Sequence, residues 1–442
     1  MRLPHDDAPS LLTRGYGFAP RIWERVRPGA RAAPLRLLGD RGILVRGGEG
    51  VALFTDPAVV RRRGAMPAPV QETLFGHGSV HSIDGADHRH RKATFVEVAY
   101  DDAQVARLLP ILEREWRAEL EAWAAGGRSS AYEAAVDAFG RAIMRWAGLP
   151  GTAAARTRWS RRLARIVDGF GAPGEPGFLA AILDRAFSDR HAARLVEAVR
   201  QGTLEAREGT ALHAWAWHRD RSGELLPPRL AGVELQNVLR PMIAVARFVA
   251  YAAKALHEHP GWRERIAAEA ADRGSLVAGP LAVAFAQEVR RTSPFVPVLP
   301  GIAIAAAELD GQRVEPGDRI VLDLLGTDTD ERSWERAGEF DPERFVGVED
   351  FEALRAFVPH GGGEVPTGHR CPGERLAIAG LAAAVAALSD PRVEILAEGL
   401  EVDLRRLPTK PASGGRVRAA GAGAGERGAA ERGAGRGCPF HR

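Results

Sequence analysis

Cysteine is almost missing from this chain: 442 residues contain two, Cys371 and Cys438. So few exclude a disulfide framework and point to a reducing compartment, the cytoplasm. No apolar run is clean enough to cross a bilayer. The best candidate, residues 238–256, carries Arg240, Arg247 and Lys254, so no membrane anchor is expected. The opening MRLPHDDAPSLLTRGYG lacks the apolar stretch of a secretion signal. Charge of one sign is also lacking. Sixty Lys and Arg against 57 Asp and Glu leave a net +3, which removes the general argument for a nucleic-acid partner. No repeat of solenoid period is present.

What is there is the composition of a globular protein, 45% hydrophobic and 26% charged. Short apolar runs broken by Gly-Asp and Gly-Gly predict strands and tight turns over 35–55. From about Asp101 to Leu256 the apolar residues recur at helical intervals, and 280–291 predicts another helix. Pro294, Pro297 and Pro300 force extended backbone. LDGQRVEPGDRIVLDL predicts a small β unit turning at Asp310-Gly311 and Pro316-Gly317. A glycine-rich loop at 361–363 leads to a helix from about Pro372 to Leu388 and a few last strands. The Gly/Ala/Arg-rich stretch 413–442 is expected to be a disordered tail. RNA binding through its arginines and a metal at Cys438 and His441 are weaker readings than a solvated tail. The expectation is one mainly helical domain with minor sheet over 1–412.

Three segments carry chemistry. Cys371 follows His369 and Arg370 and precedes Pro372, a residue suited to the first turn of a helix. Nearby cations and helix amides stabilise a thiolate, which serves as a nucleophile or a metal ligand. No second cysteine or histidine pair stands at zinc spacing, whereas haem iron needs only one such protein ligand. Glu288 and Arg291 can pair on one helical face, a signal with no specificity by itself. Arg344, in FDPERF, is a candidate to join them.

In this order and spacing the three segments resemble the cytochrome P450 superfamily over nearly all of the chain before the tail. The resemblance implies that fold, mainly α with minor β, with haem b between a long kinked central helix and the cysteine helix. Cys371 becomes the axial ligand of the haem iron, and Glu288, Arg291 and Arg344 become structural residues. Two departures narrow the resemblance. The loop from Gly361 to Cys371 is lengthened by EVPTG. The central helix reads NVLRPMIAVARF, without the acid-threonine pair that serves oxygen activation. Both are similar to the bacterial fatty-acid peroxygenases, which hydroxylate or decarboxylate fatty acids with hydrogen peroxide. QEVRR, PFVPVLPG and ALHEHP are similar to that subgroup as well.

Arg240 and Pro241 match the subgroup's Arg-Pro pair. Pro241 should kink the helix, and the planar fork of Arg240 suits a carboxylate. The held carboxylate would then do the acid–base work of the missing side chains. Without the resemblance, Arg240, Arg247 and Lys254 read equally well as one solvated stripe. By the same resemblance, 74–95 forms a loop over the haem running into a helix. His88 and Lys92, helped by Arg62, His369 and Arg370, would meet the propionates, and Leu74 and Phe75 would line the substrate channel. His81 occupies a position facing the distal pocket. Hydroxylating members often carry glutamine there and an alkene-forming member carries histidine, so some terminal alkene is expected beside α- and β-hydroxylation. The four histidines at 77, 81, 88 and 90 fit no common metal site. Peroxide as co-substrate would make a redox partner protein unnecessary. A conventional monooxygenase fed by redox partners, and a non-catalytic haem sensor, are the alternatives.

Overall fold

Helical spacing between Asp101 and Leu256 becomes a run of helices: Asp102–Ala124, Ala131–Trp146, Ala153–Gly169, Pro176–Arg200, Ala211–Trp217, Pro228–Ala244 and Ala246–Glu258. The computed structural model describes residues 6–127, 129–169 and 176–421. Local chemistry starts these helices where the sequence allows. Asp101 accepts from the Ala103 N–H, and Ser130 with Glu133 forms a reciprocal capping box. Their apolar faces share one large core that buries Trp116, Trp123, Phe139, Trp215 and Phe248. Trp116 and Phe139 meet edge to face at 5.5 Å, the geometry that ring quadrupoles favour.

The cysteine helix, Glu374–Ser389, passes through this core, and every residue from Leu376 to Ser389 is buried. A helix apolar on all sides belongs inside a protein, and its many alanines let neighbours come close. Gly380 is the closest approach: the Met242 side chain of the central helix, Pro228–Ala244, fills the space that a Cβ would need. The central helix therefore packs directly on the cysteine helix.

The largest sheet has separate cores of its own. A five-stranded sheet runs Ala32–Leu37, Asp40–Val45, Arg319–Asp323, Val298–Ala303, Val60–Arg61. Only its Asp40–Val45 and Arg319–Asp323 pair is parallel. The expected turn at Asp310-Gly311 joins Ala307–Leu309 to Gln312–Val314 with φ of 51° and 76°, as a two-residue hairpin of right-handed twist requires.

Two expectations change. The strands predicted over 35–55 end at Val45, and Gly47–Thr55 is a helix. Its apolar stretch VALFT is too short for periodicity to separate strand from helix. The tail begins later than residue 413, because Arg416–Ala419 is a strand between Ser129–Ser130 and Val393–Ile395. Beyond 421 the tail, with Cys438 and His441, lies outside the described residues. No helix among the described residues is long and apolar enough to cross a membrane.

Candidate active site

Arg240 sits in an apolar stretch of the central helix and is buried, as is every other residue from Ala231 to Ala244 except Pro241. Pro241 has no N–H to give the Asn237 carbonyl. The helix continues past it to Ala244 and is interrupted at Val245, although the Val245 N–H still reaches the Pro241 carbonyl at 3.2 Å, after which Ala246–Glu258 follows. The expected kink is thus an interruption four residues beyond the proline. The stripe reading fails here. Arg247 is buried and paired with Asp168, and only Lys254 lies towards solvent, paired with Glu258.

The guanidinium of Arg240 has an unusual set of neighbours. Its Nη2 donates to Asn237 Oδ1 at 2.5 Å, while its Nη1 is buried with no protein partner. No carboxylate pairs with it among the described residues. The two nearby acids are engaged elsewhere: Asp189 with Arg185 at 2.9 Å, and Glu234 with Arg91 at 3.2 Å. Desolvation first, then the neighbouring Arg185, pulls the Arg240 pKa down to about 9. A buried guanidinium half without a partner is costly unless a ligand fills it.

His81 lies on a short 3₁₀ turn, Val80–Ser82, its ring 4.4 Å from that of Phe75. Its side chain has accessible surface, yet desolvation holds its pKa well below the usual imidazole value, with Arg240, His369, Lys92 and His88 adding to the effect. Accessible surface deep inside the protein means that the imidazole faces an internal space. Around that space it is neutral at physiological pH. Phe75 ends the π-turn Gln71–Phe75, where the Leu74 carbonyl accepts from Arg185 Nη1 at 3.2 Å.

On the other side the helix Gly85–Ala99 brings His88 and Lys92 to one buried face. His88 stacks on His369 at 3.9 Å, and Lys92 Nζ reaches the Arg370 carbonyl at 2.5 Å. Arg62 lies over the Phe54 ring at 4.3 Å. Asp84 is the carboxylate of this group. It takes the backbone N–H of Arg62 at 2.9 Å and stands 3.5 Å from His369. Desolvation pushes His88 down to about 3, Lys92 to about 8 and Arg62 to about 10. Two cations, Arg62 and Lys92, and two imidazoles thus stand around one acid, an arrangement with room for further negative charge.

Cys371 is a free thiol whose N–H donates to the His360 carbonyl at 3.2 Å. Burial, then Glu374, pushes its pKa up, against Lys92, the Gly373 N–H and Arg290. The expected stabilisation by cations and a backbone amide is present, but desolvation of the metal-free thiol outweighs it. A metal ion at the sulfur would displace the proton outright. Arg370, just before the cysteine helix, has its Nη2 buried without a protein partner. It pairs with the Glu352 carbonyl at 3.3 Å and with Glu374 at 2.8 Å. There it joins Arg290, which also pairs with Glu374. Behind the cysteine, Arg291 grips Glu288 with two bonds of 2.7 Å, both residues fully buried, and Arg344 stands 3.7 Å from Glu288.

These residues suit haem. The sulfur of the partly exposed Cys371 offers the axial bond. The cations of Arg62 and Lys92, with the imidazole donors of His88 and His369 beside them, suit two propionates. Among the described residues no cluster of three His, Cys, Asp or Glu is arranged for a metal ion. The motifs did not point to Glu234 and Asn237, which hold Arg240. Their spacing at i and i+3, polar positions in an otherwise apolar helix, was the available signal.

Known proteins agree with this geometry. The cytochrome P450 family model matches residues 271–388. The solved structure of cytochrome P450SP alpha (CYP152B1) in complex with (R)-ibuprophen is 35% identical, with a TM-score of 0.85, over 94% of this chain and 98% of that one. Ligand-free cytochrome P450 OleT is 29% identical, with a TM-score of 0.85, over 93% and 96%. A putative cytochrome P450 137 of Mycobacterium tuberculosis is 24% identical across 75% of this chain and 70% of its own length. The chain belongs to the cytochrome P450 family, within its fatty-acid peroxygenase subgroup.

Proposed function

We propose that this protein is a haem-thiolate peroxygenase that oxidises medium- to long-chain fatty acids with hydrogen peroxide, in the cytoplasm and without a redox partner. The observation that carries this reading is the buried, carboxylate-free fork of Arg240. A sensor has no need of such a clamp, and a conventional monooxygenase would need its own acid–base pair in the central helix. Similarity supports the substrate class, since a variant of OleT is solved in complex with arachidonic acid.

Cys371 would hold the haem iron, and Arg62, His88, Lys92 and His369 its propionates. When bound, the haem supplies the oxidising chemistry, with thiolate donation favouring O–O cleavage. Arg240 binds the substrate carboxylate through two N–H groups and so fixes Cα and Cβ in one place. The carboxylate, held in a desolvated site, carries a proton from one peroxide oxygen to the other. His81, kept neutral by burial, offers a second proton acceptor on the same side. Leu74 and Phe75 line the way for the chain.

Mixing purified holoprotein with myristic acid and peroxide, without NADPH or a reductase, should give α- and β-hydroxy acids together with some terminal alkene. Absence of any product sinks the peroxygenase reading. Hydroxy acids without alkene at every chain length remove only the role given to His81.

The pH dependence follows from the clamp. Arg240 is depressed to about 9, so its cation is present below that pH and lost above it, while the substrate is a carboxylate above about pH 5. Fatty-acid kcat/KM should hold through neutrality and fall about tenfold per pH unit above 9. A profile still flat at pH 10 means that Arg240 keeps its proton there and that burial does not depress it to this extent.

A further inference from the structure

Arg240 does not hold its own orientation. Its buried Nη2 is placed by Asn237, and Asn237 in turn is placed by Glu234, which is fully buried one helical turn earlier. Glu234 Oε2 accepts from Asn237 Nδ2 at 3.0 Å. Its other oxygen, Oε1, accepts from the Val80 N–H at 2.8 Å and from Arg91 Nη1 at 3.2 Å. Val80 adjoins His81 and opens the turn that carries it.

The polarity of this chain is determined at both ends. A carboxylate only accepts and a guanidinium only donates. An amide between them has one satisfying orientation, with Nδ2 towards Glu234 and Oδ1 towards Arg240. We infer that Glu234 is a positioning residue for the proposed reaction: it sets the Asn237 amide so that Arg240 presents its fork, and it docks the His81 turn to that same unit. The headgroup clamp and the distal histidine are then fixed relative to each other by one side chain, which touches neither substrate nor haem. This inference rests on the carboxylate-clamp reading of Arg240.

Two substitutions separate polarity from packing. Glu234→Gln keeps the volume but puts an N–H donor on one side. If its amide nitrogen faces Asn237, the Asn237 amide must reverse and turn its own donors on Arg240. If the amide nitrogen faces the other way, it meets the Val80 N–H and Arg91. Glu234→Asp removes a methylene but accepts on both sides. Polarity control therefore ranks Glu234→Asp nearer to wild type than Glu234→Gln, and a packing role ranks them in the opposite order.

The experiment titrates myristic acid into each holoprotein by its Soret shift, with imidazole as a carboxylate-free probe of the same pocket. Glu234→Gln should weaken myristate by about tenfold or more, Glu234→Asp by less, and imidazole should bind all forms alike with the thiolate carbon monoxide spectrum intact. Asn237→Ala, which leaves Glu234 its Val80 and Arg91 partners, should reproduce the myristate loss even where a Glu234 variant fails to fold. Glu234→Gln binding myristate as well as or better than Glu234→Asp overturns the inference, and so does wild-type affinity in Asn237→Ala. Arg240→Ala is the separate control: if it binds myristate normally, the clamp reading itself is wrong, whatever the Glu234 variants do.

Discussion

Arg240→Ala should lose fatty-acid kcat/KM by about a thousandfold or more while the protein still binds haem through Cys371. Two losses combine. Truncating one partner of a buried charged pair costs about 2–5 kcal/mol of binding. The carboxylate that moves the proton is then no longer placed, and positioned acid–base groups contribute roughly 10²–10⁴. Arg240 leaves behind a single side-chain partner, Asn237, and no carboxylate among the described residues, and its Nη1 has no partner. The fold should therefore survive the change, unlike the removal of most buried arginines. Arg240→Lys tests the geometry. It keeps a charge but not the fork, and should recover part of the binding and little of the turnover. The measurement is steady-state product formation from myristic acid and peroxide, with haem content and the thiolate carbon monoxide spectrum as controls. Turnover in Arg240→Ala within tenfold of wild type would refute the clamp.

The strongest features of this site were legible because their chemistry is local in sequence. Cys371 stands between basic residues and Pro372, the E-x-x-R pair is one helical turn, and Arg240-Pro241 is adjacent. The unreadable features depend on distant partners. Arg247 looked like a member of a solvated stripe, since its acid, Asp168, lies on another helix and the two are brought together by folding. Arg370, beside the cysteine, also pairs with Glu374, which takes Arg290 from a separate helix, a link that no local motif announces. The strand Arg416–Ala419 lay hidden in a glycine- and arginine-rich composition, because only its pairing with Val393–Ile395 and Ser129–Ser130 defines it. Composition reports what a segment can bury by itself, and this strand borrows its stability from neighbours. The balance at Cys371 was misjudged for a related reason. The cations were visible in the sequence, but the burial that outweighs them is a property of the whole fold.

Arg291→Lys should be the most destabilising conservative substitution in the chain. Arg291 has no exposed surface and uses its whole fork: two bonds to Glu288, then the carbonyls of Asp328 at 3.1 Å, Ala337 at 2.9 Å and Glu339 at 3.0 Å. It ties the helix Pro280–Thr292 to the segment that precedes the cysteine loop. Lysine offers three donors at one point and cannot reach that spread of acceptors. Glu288 would keep the Asp341 N–H at 2.8 Å but lose its bidentate partner, and several buried carbonyls would lose their donors. Breaking such a pair costs about 3–5 kcal/mol, a large share of the roughly 5–15 kcal/mol that holds an ordinary domain together. Haem uptake should fail with it, because the loop that presents Cys371 is braced from this side. Arg344→Ala should do much less, since its approach to Glu288 is 3.7 Å and most of its bonding is to the carbonyls of Glu335 and Arg336. Urea unfolding followed by tryptophan fluorescence, with haem content measured in parallel, ranks the two. An Arg291→Lys protein with wild-type midpoint and full haem would show that charge alone, and not the fork, braces this side of the fold.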